Sequence, residues 1–263
     1  MKIDIFKNIE LFTVNRIKKK QQLISILNKL IVYHSKKSSL YRKFIKSTFF
    51  SFSEKKNLED LPFIPVRLFK HLNLKSINDK DIFKILKSSG TSGSSFSKIF
   101  LDRENAKNQT NILTKIANNF IGNKRLNMLV IDSKKTINDK KNYSARTAAI
   151  LGFSIFSKKL YFFLNDDLTV NYKIVNSFFK SNKKFFIFGF TSIIWEKFIL
   201  DLKKNKVQIN LNDGILIHGG GWKKIQDKGI SNKSFKSKLL ELLGITKVIN
   251  YYGMVEQTGS IFF

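Results

Sequence analysis

Residues 185–204 read FFIFGFTSIIWEKFILDLKK. The first four form an apolar run with no polar interruption, the pattern of a strand buried on both faces. Thr191 or Ser192 then suits a helix N-cap, and the helix is predicted to run to about Lys204. A buried strand feeding a helix is half of a parallel crossover unit. The same alternation recurs on either side. Upstream, Asp102 can cap a helix over 103–121 that stops at Gly122. Residues 126–131 (LNMLVI) read as a buried strand, and 144–151 as a short helix with Gly152 after it. Downstream, 215–217 is a short strand ending at His218 and three glycines, 235–243 is a helix stopping at Gly244, and 247–249 is the next strand. This order predicts an α/β class, a three-layer domain with a largely parallel sheet and helices on its faces. Ligands in such sheets bind at loops beyond the carboxyl ends of strands.

The first fifty or so residues read differently. Ile17, Leu23, Ile24, Leu27, Leu30 and Ile31 recur at helical spacing among lysines and glutamines. The only two prolines, Pro62 and Pro65, then mark an extended piece. The expected division is a helical N-terminal segment over 1–60, packed on a main domain over 61–263.

Composition narrows the chemistry. There is no Cys among the 263 residues, which excludes a disulfide scaffold, an iron–sulfur centre and a cysteine nucleophile. Three histidines, His34, His71 and His218, argue against a histidine-built metal site. Lys+Arg number 48 against 19 Asp+Glu, a formal net charge of +29. Only six of the 48 are Arg, Asn occurs 24 times and Ala five times, which is the signature of an AT-biased coding sequence. Nucleic-acid surfaces lean on the bidentate arginine fork. The lysines fall in pairs and triplets along the whole length, with no dedicated basic stripe in view. Genome composition is therefore preferred to a nucleic-acid footprint. The N-terminus shows no apolar targeting core, and no apolar run reaches the roughly 20 residues of a membrane span, so a cytoplasmic protein is the default expectation.

Three loops carry possible chemistry. In Lys87-Ser88-Ser89-Gly90-Thr91-Ser92-Gly93-Ser94-Ser95-Phe96-Ser97-Lys98, small residues and hydroxyls suit an anion, and Lys98 supplies a point charge. A flexible linker fits the local sequence equally well, and the Walker A spacing is absent. His218-Gly219-Gly220-Gly221-Trp222-Lys223 permits positive φ and close approach of a flat ligand, or serves as a tight strand-to-helix turn with a satisfied His218. In Asn250-Tyr251-Tyr252-Gly253-Met254-Val255-Glu256, an aromatic ring and a carboxylate follow a strand, suited to a base and to Mg²⁺, or to a plain strand end.

In this order the loops are similar to the core motifs of adenylate-forming enzymes. More narrowly, LPFIPVRLFK (61–70), the loop from Ser88 to Lys98, HGGGWK (218–223) and NYYGMVEQTGSIFF (250–263) resemble the LuxE-like acyl-protein synthetase family. The resemblance covers residue 61 to the C-terminus. It implies that Ser89, Gly90, Thr91, Ser92, Gly93 and Lys98 hold the outer phosphates of ATP. Gly219, Gly220 and Gly221 would line the adenine and acyl pocket, Tyr252 with Gly253 would stack on adenine, and Glu256 would hold Mg²⁺. The implied reaction activates a carboxylic acid, expected to be a fatty acid, as its acyl-adenylate for transfer to an acceptor. Two departures stand out. Val255 takes a place often held by Thr or Ser, as in the acyl-protein synthetase variant. The family also continues past this last motif, so the chain is expected to be incomplete at its C-terminus and to depend on a second polypeptide for acyl transfer. A non-catalytic nucleotide- or acyl-binding remnant and a basic nucleic-acid-binding protein are the alternative readings.

Overall fold

Apolar runs that are too short for helices must pair as strands, and the computed structural model shows where they do so. It describes residues 13–49, 53–88, 96–138, 144–181, 184–258 and 261–263. The chain divides into two units: residues 1–116 with 254–260, and residues 117–253 with 261–263.

In the first unit the N-terminal periodicity becomes two helices, Arg16–Lys37 and Ser39–Phe49. The break is at Ser38, which leaves the helical region with φ −120° and ψ 112°. Asn15 caps the first helix by accepting from the Ile17 N–H at 2.8 Å. Asn28 is buried and pins an extended segment, donating to the Lys55 carbonyl at 2.8 Å and accepting from its N–H at 3.0 Å. Ile31 and Ile45 face inward. Ile17 and Leu23, expected on the apolar face, are exposed instead, because the inward stripe runs through Asn28 and Ile31. After the prolines, β1 (Lys84–Lys87) and β2 (Lys98–Leu101) form an antiparallel hairpin, with Ile99 and Leu101 buried beneath it.

The second unit is built on a sheet of five parallel strands. These are β3 (Leu126–Ser133), β4 (Ser157–Leu164), β5 (Phe185–Phe190), β6 (Ile215–Gly219) and β7 (Lys247–Asn250), in the order β4-β3-β5-β6-β7. Met128, Leu129, Val130, Ile131, Phe186, Ile187, Phe188, Leu216 and Ile217 are fully buried, so the central strands are covered on both faces. The chain passes from β3 to β4 on one side and then to β5 on the other, a topological switch that opens a crevice beyond the carboxyl ends. A two-residue ribbon, β8 (Tyr252–Gly253) with β9 (Ile261–Phe262), follows β7.

The α/β class, the parallel sheet and the helical N-terminal segment agree with the sequence reading. Several boundaries do not. Helix Arg103–Ile121 is as expected, with the Asp102 carboxylate accepting from the Asn105 N–H at 2.7 Å and Gly122 at φ 90°. Helix Ala145–Ser154 runs through Gly152, where an added Cβ would meet nothing within 4 Å. Thr191 is no cap: it is the first helical residue, Phe190 holds the cap position, and the helical run to Lys204 includes a π-helical stretch, Ile194–Ile199. β6 extends through His218 to Gly219, which makes His218 a strand residue, not part of the turn. Among the described residues, no helix is long and apolar enough to cross a membrane.

Candidate functional site

The first unit contributes a hairpin neck. Ser88 and Ser97 close the base of the connection between β1 and β2. The Ser88 N–H donates to the Ser97 carbonyl at 3.1 Å, and the Ser97 N–H donates to Ser88 Oγ at 2.9 Å. Ser89, Gly90, Thr91, Ser92 and Gly93 lie outside the described residues. Lys98 is the first residue of β2, half-buried, and pairs directly with Lys87 across the ladder. Cross-strand partners project from the same face with Cβ atoms about 5 Å apart, and like charges so placed are destabilising. Lys87 Nζ also lies 5.1 Å from the Phe96 ring centroid, a cation–π contact that helps orient it. The sequence reading singled out Lys98 and missed Lys87. The missing signal was register: a hairpin closed by Ser88 and Ser97 makes the two flanking lysines partners.

Glu256 also belongs to the first unit. It sits half-buried in a turn closed by the Gln257 N–H donating to the Met254 carbonyl at 3.1 Å. No cluster of three or more His, Cys, Asp or Glu that could hold a metal occurs among the described residues. A lone carboxylate is poor for a cation held by protein alone. It fits Mg²⁺, which keeps its waters and takes one or two carboxylates plus substrate phosphates.

In the second unit, four carboxyl ends lie side by side. At β5 and β6, Thr191 Oγ1 and His218 Nδ1 are 2.9 Å apart and both residues are fully buried. His218 Nε2 has no hydrogen-bond partner among the described residues. Its ring packs 4.9 Å from the Phe235 centroid and 5.9 Å from that of Trp222. Burial, reinforced by the Lys236 charge, pushes the imidazole down to about 4, so His218 is neutral at physiological pH. Trp222 rests on Phe235 and His218 and thus covers the core. With the Asn250 amide oxygen toward it, the Trp222 indole N–H donates to Asn250, and the Asn250 amide donates to the His218 carbonyl, each at 3.2 Å.

The glycines between these strands are demanded by packing. A Cβ on Gly219 would lie 2.7 Å from the Tyr251 carbonyl oxygen and 2.6 Å from its ring. Gly220 and Gly221 have φ of 69° and 77°. A Cβ on Gly220 would meet the Phe190 ring at 2.9 Å, and one on Gly221 would collide with Ser192 Oγ. Tyr251 packs against Phe153 and Phe188, and burial pushes its hydroxyl up to about 12. Its neighbour Tyr252 is 59% exposed at the start of β8, where it pairs with Phe262 of β9.

At β3, Asp132 is buried and accepts from Arg146 through two guanidinium nitrogens, one at 3.0 Å, and from Thr136 Oγ1 at 2.8 Å. Ser133 Oγ donates to Asp166 at 2.9 Å. This network ties the segment after β3 to the start of helix Ala145–Ser154. Sequence reasoning missed it, because an Asp and an Arg fourteen residues apart carry no recognisable spacing.

Comparisons with known proteins place this geometry in a family. The structure is similar to 2-hydroxyisobutyryl-CoA ligase in complex with 2-HIB-AMP and CoA. For its open conformation the TM-score is 0.63 at 15% identity, covering 94% of this chain and 56% of the ligase. For its thioesterification state the TM-score is 0.60 at 14% identity, covering 94% and 51%. The chain thus spans about half the length of the solved ligase it matches. No curated protein matches the sequence. The model of the acyl-protein synthetase family, LuxE, matches residues 9–261. With that match over nearly the whole chain, the protein belongs to the LuxE acyl-protein synthetase family.

Proposed function

We propose that the protein activates a carboxylic acid as its acyl-adenylate, using ATP, for transfer to an acceptor. The observation that carries this reading is the hairpin neck, where Lys87 and Lys98 face one another at the mouth of a Ser/Gly connection. Two lysines paired across the ladder, with no carboxylate partner among the described residues, are mildly unfavourable in the free protein and favourable around a polyanion. Ser89, Gly90, Thr91, Ser92 and Gly93 supply donors to the β- and γ-phosphates, and Lys98 supplies charge. Tyr252 and Gly253 receive the adenine. The backbone of Gly219, Gly220 and Gly221 forms the wall along adenine and acyl group.

In the reaction a carboxylate oxygen attacks the α-phosphorus, the bond to the β-phosphate oxygen breaks, and pyrophosphate leaves. No side-chain nucleophile is required. The chain's task is to neutralise phosphate charge and hold the carboxylate in line. Glu256 would hold Mg²⁺, which would supply positive charge against the phosphates. The acid is proposed to be a fatty acid. A thioester within these 263 residues is excluded by the lack of Cys, and the acceptor is proposed to be a separate group. The proposed organisation is a helical segment over 1–60 and an adenylating domain over 61–263. Trapping with hydroxylamine tests the reading across a series of acids. Acyl-hydroxamate that requires ATP, Mg²⁺ and a particular acid supports it, and none with any acid overturns it.

A further inference from the structure

On the two N-terminal helices positive charge is not interrupted by any acid. Residues 13–56 carry twelve Lys and Arg and one acid, Glu54, whereas residues 57–263 carry 34 Lys and Arg and 16 acids. Within the first stretch, helices Arg16–Lys37 and Ser39–Phe49 carry ten of these cations and no acid. The helices arrange these charges. At 100° per residue, Val32, Ser25, Lys18, Lys36 and Lys29 fall within an arc of about 60° on helix Arg16–Lys37, and Ile17 lies about 60° beyond its apolar edge. All are exposed, Ile17 at 70%. On helix Ser39–Phe49, Arg42, Lys43 and Lys46 share an arc of about 100° that excludes the buried Ile45. Of the twelve, Lys20 has a carboxylate neighbour, Glu59 at 3.5 Å.

We propose that this N-terminal helix pair docks the protein on an anionic lipid bilayer surface. Ten of the twelve cations are Lys, a point charge on a flexible stem. A cationic face free of acids attracts a sheet of anionic headgroups, and its exposed apolar neighbours favour a bilayer over a nucleic-acid backbone. Exposed Ile17 and Val32 border the lysines and supply shallow apolar contact, while lysine stems snorkel to the headgroups. The inference is independent of the adenylation reading.

Vesicle sedimentation tests it at physiological salt. The full chain is expected to partition at least tenfold more strongly onto vesicles with about 30% phosphatidylglycerol than onto pure phosphatidylcholine, with the difference shrinking as salt rises. Combined Lys18→Glu, Lys29→Glu and Lys36→Glu should remove at least tenfold of that binding, and the matching Gln variant part of it. Reversal of three exposed lysines elsewhere, Lys158, Lys204 and Lys247, should change it less than threefold. Equal binding to both vesicles overturns the proposal, as does a control triple as damaging as the helix triple. Tighter binding to duplex DNA than to anionic vesicles at the same salt also overturns it, in favour of a nucleic acid.

Discussion

The hairpin connection at Ser88–Ser97 and the turn at Gly219–Gly221 are both runs of small residues bounded by strands, yet they are small for different reasons. In the turn, neighbours occupy the space a side chain would fill: the Tyr251 carbonyl, the Phe190 ring and Ser192. Its glycines are requirements of the fold. At the hairpin, two Ser–Ser contacts close the base and the flanking residues are facing lysines, an arrangement that folding alone disfavours. Small residues at the turn are required by packing whatever they also line, and those at the hairpin are proposed to meet phosphate. Substitution in the turn should therefore cost stability, and substitution at the neck should cost nucleotide chemistry.

The largest effect is expected at Gly221. Gly221→Ala adds a Cβ onto Ser192 at φ 77° and should destabilise the fold by about 3 to 4 kcal/mol, seen as a melting temperature lower by roughly 8 °C or more. An unchanged melting temperature would erase the distinction between the two loops. Next comes His218, which holds the start of the helix after β5 through Thr191. Its folded-state value of about 4 lies below the 6.5 of an exposed imidazole, so the unfolded chain binds the extra proton. The stability tied to a neutral His218 is complete above about pH 6.5 and is lost as pH falls toward 4, a loss of about 3 kcal/mol in all. Denaturant melts between pH 7 and 4 should show this component in the parent protein and not in His218→Gln.

At the neck the expected effects are smaller and of another kind. Lys98→Ala should weaken ATP binding or lower turnover at least tenfold, roughly 1.4 kcal/mol, with melting temperature nearly unchanged. Lys87→Ala should weaken ATP about three- to fivefold while leaving stability unchanged or slightly raised, since a like-charge pair is relieved. Calorimetric titration with ATP and a thermal melt on each variant separate the outcomes. If either lysine variant melts well below the parent while keeping its nucleotide affinity, the neck belongs with the turn.

The elements that were legible in the sequence share one property: their signals are local. Gly122 and Gly244 end helices at left-handed φ, and β3, β5 and β6 each hold an unbroken apolar run (128–131, 185–188 and 215–217), so the strand–helix alternation and the parallel sheet follow without tertiary information. What was not legible depends on contacts between distant residues. Thr191 reads as a cap, yet its hydroxyl meets His218 from another strand. Asp132 and Arg146 form a bidentate pair that no spacing rule finds. The facing of Lys87 and Lys98 needed the hairpin register. In the turn, the glycine cluster itself was visible, but its packing role was not, because the atoms that require it come from Phe190, Ser192 and Tyr251.

The central claim is that this chain forms an acyl-adenylate, and exchange of labelled pyrophosphate into ATP tests it most directly, because exchange reports the reversible first step without an acceptor. The account predicts Mg²⁺-dependent exchange that rises at least tenfold when the right carboxylic acid is added and falls at least tenfold in Lys98→Ala. Exchange that stays at background across a broad series of acids, in a protein shown to be folded, would contradict it and leave a nucleotide- or acyl-binding protein without adenylation chemistry.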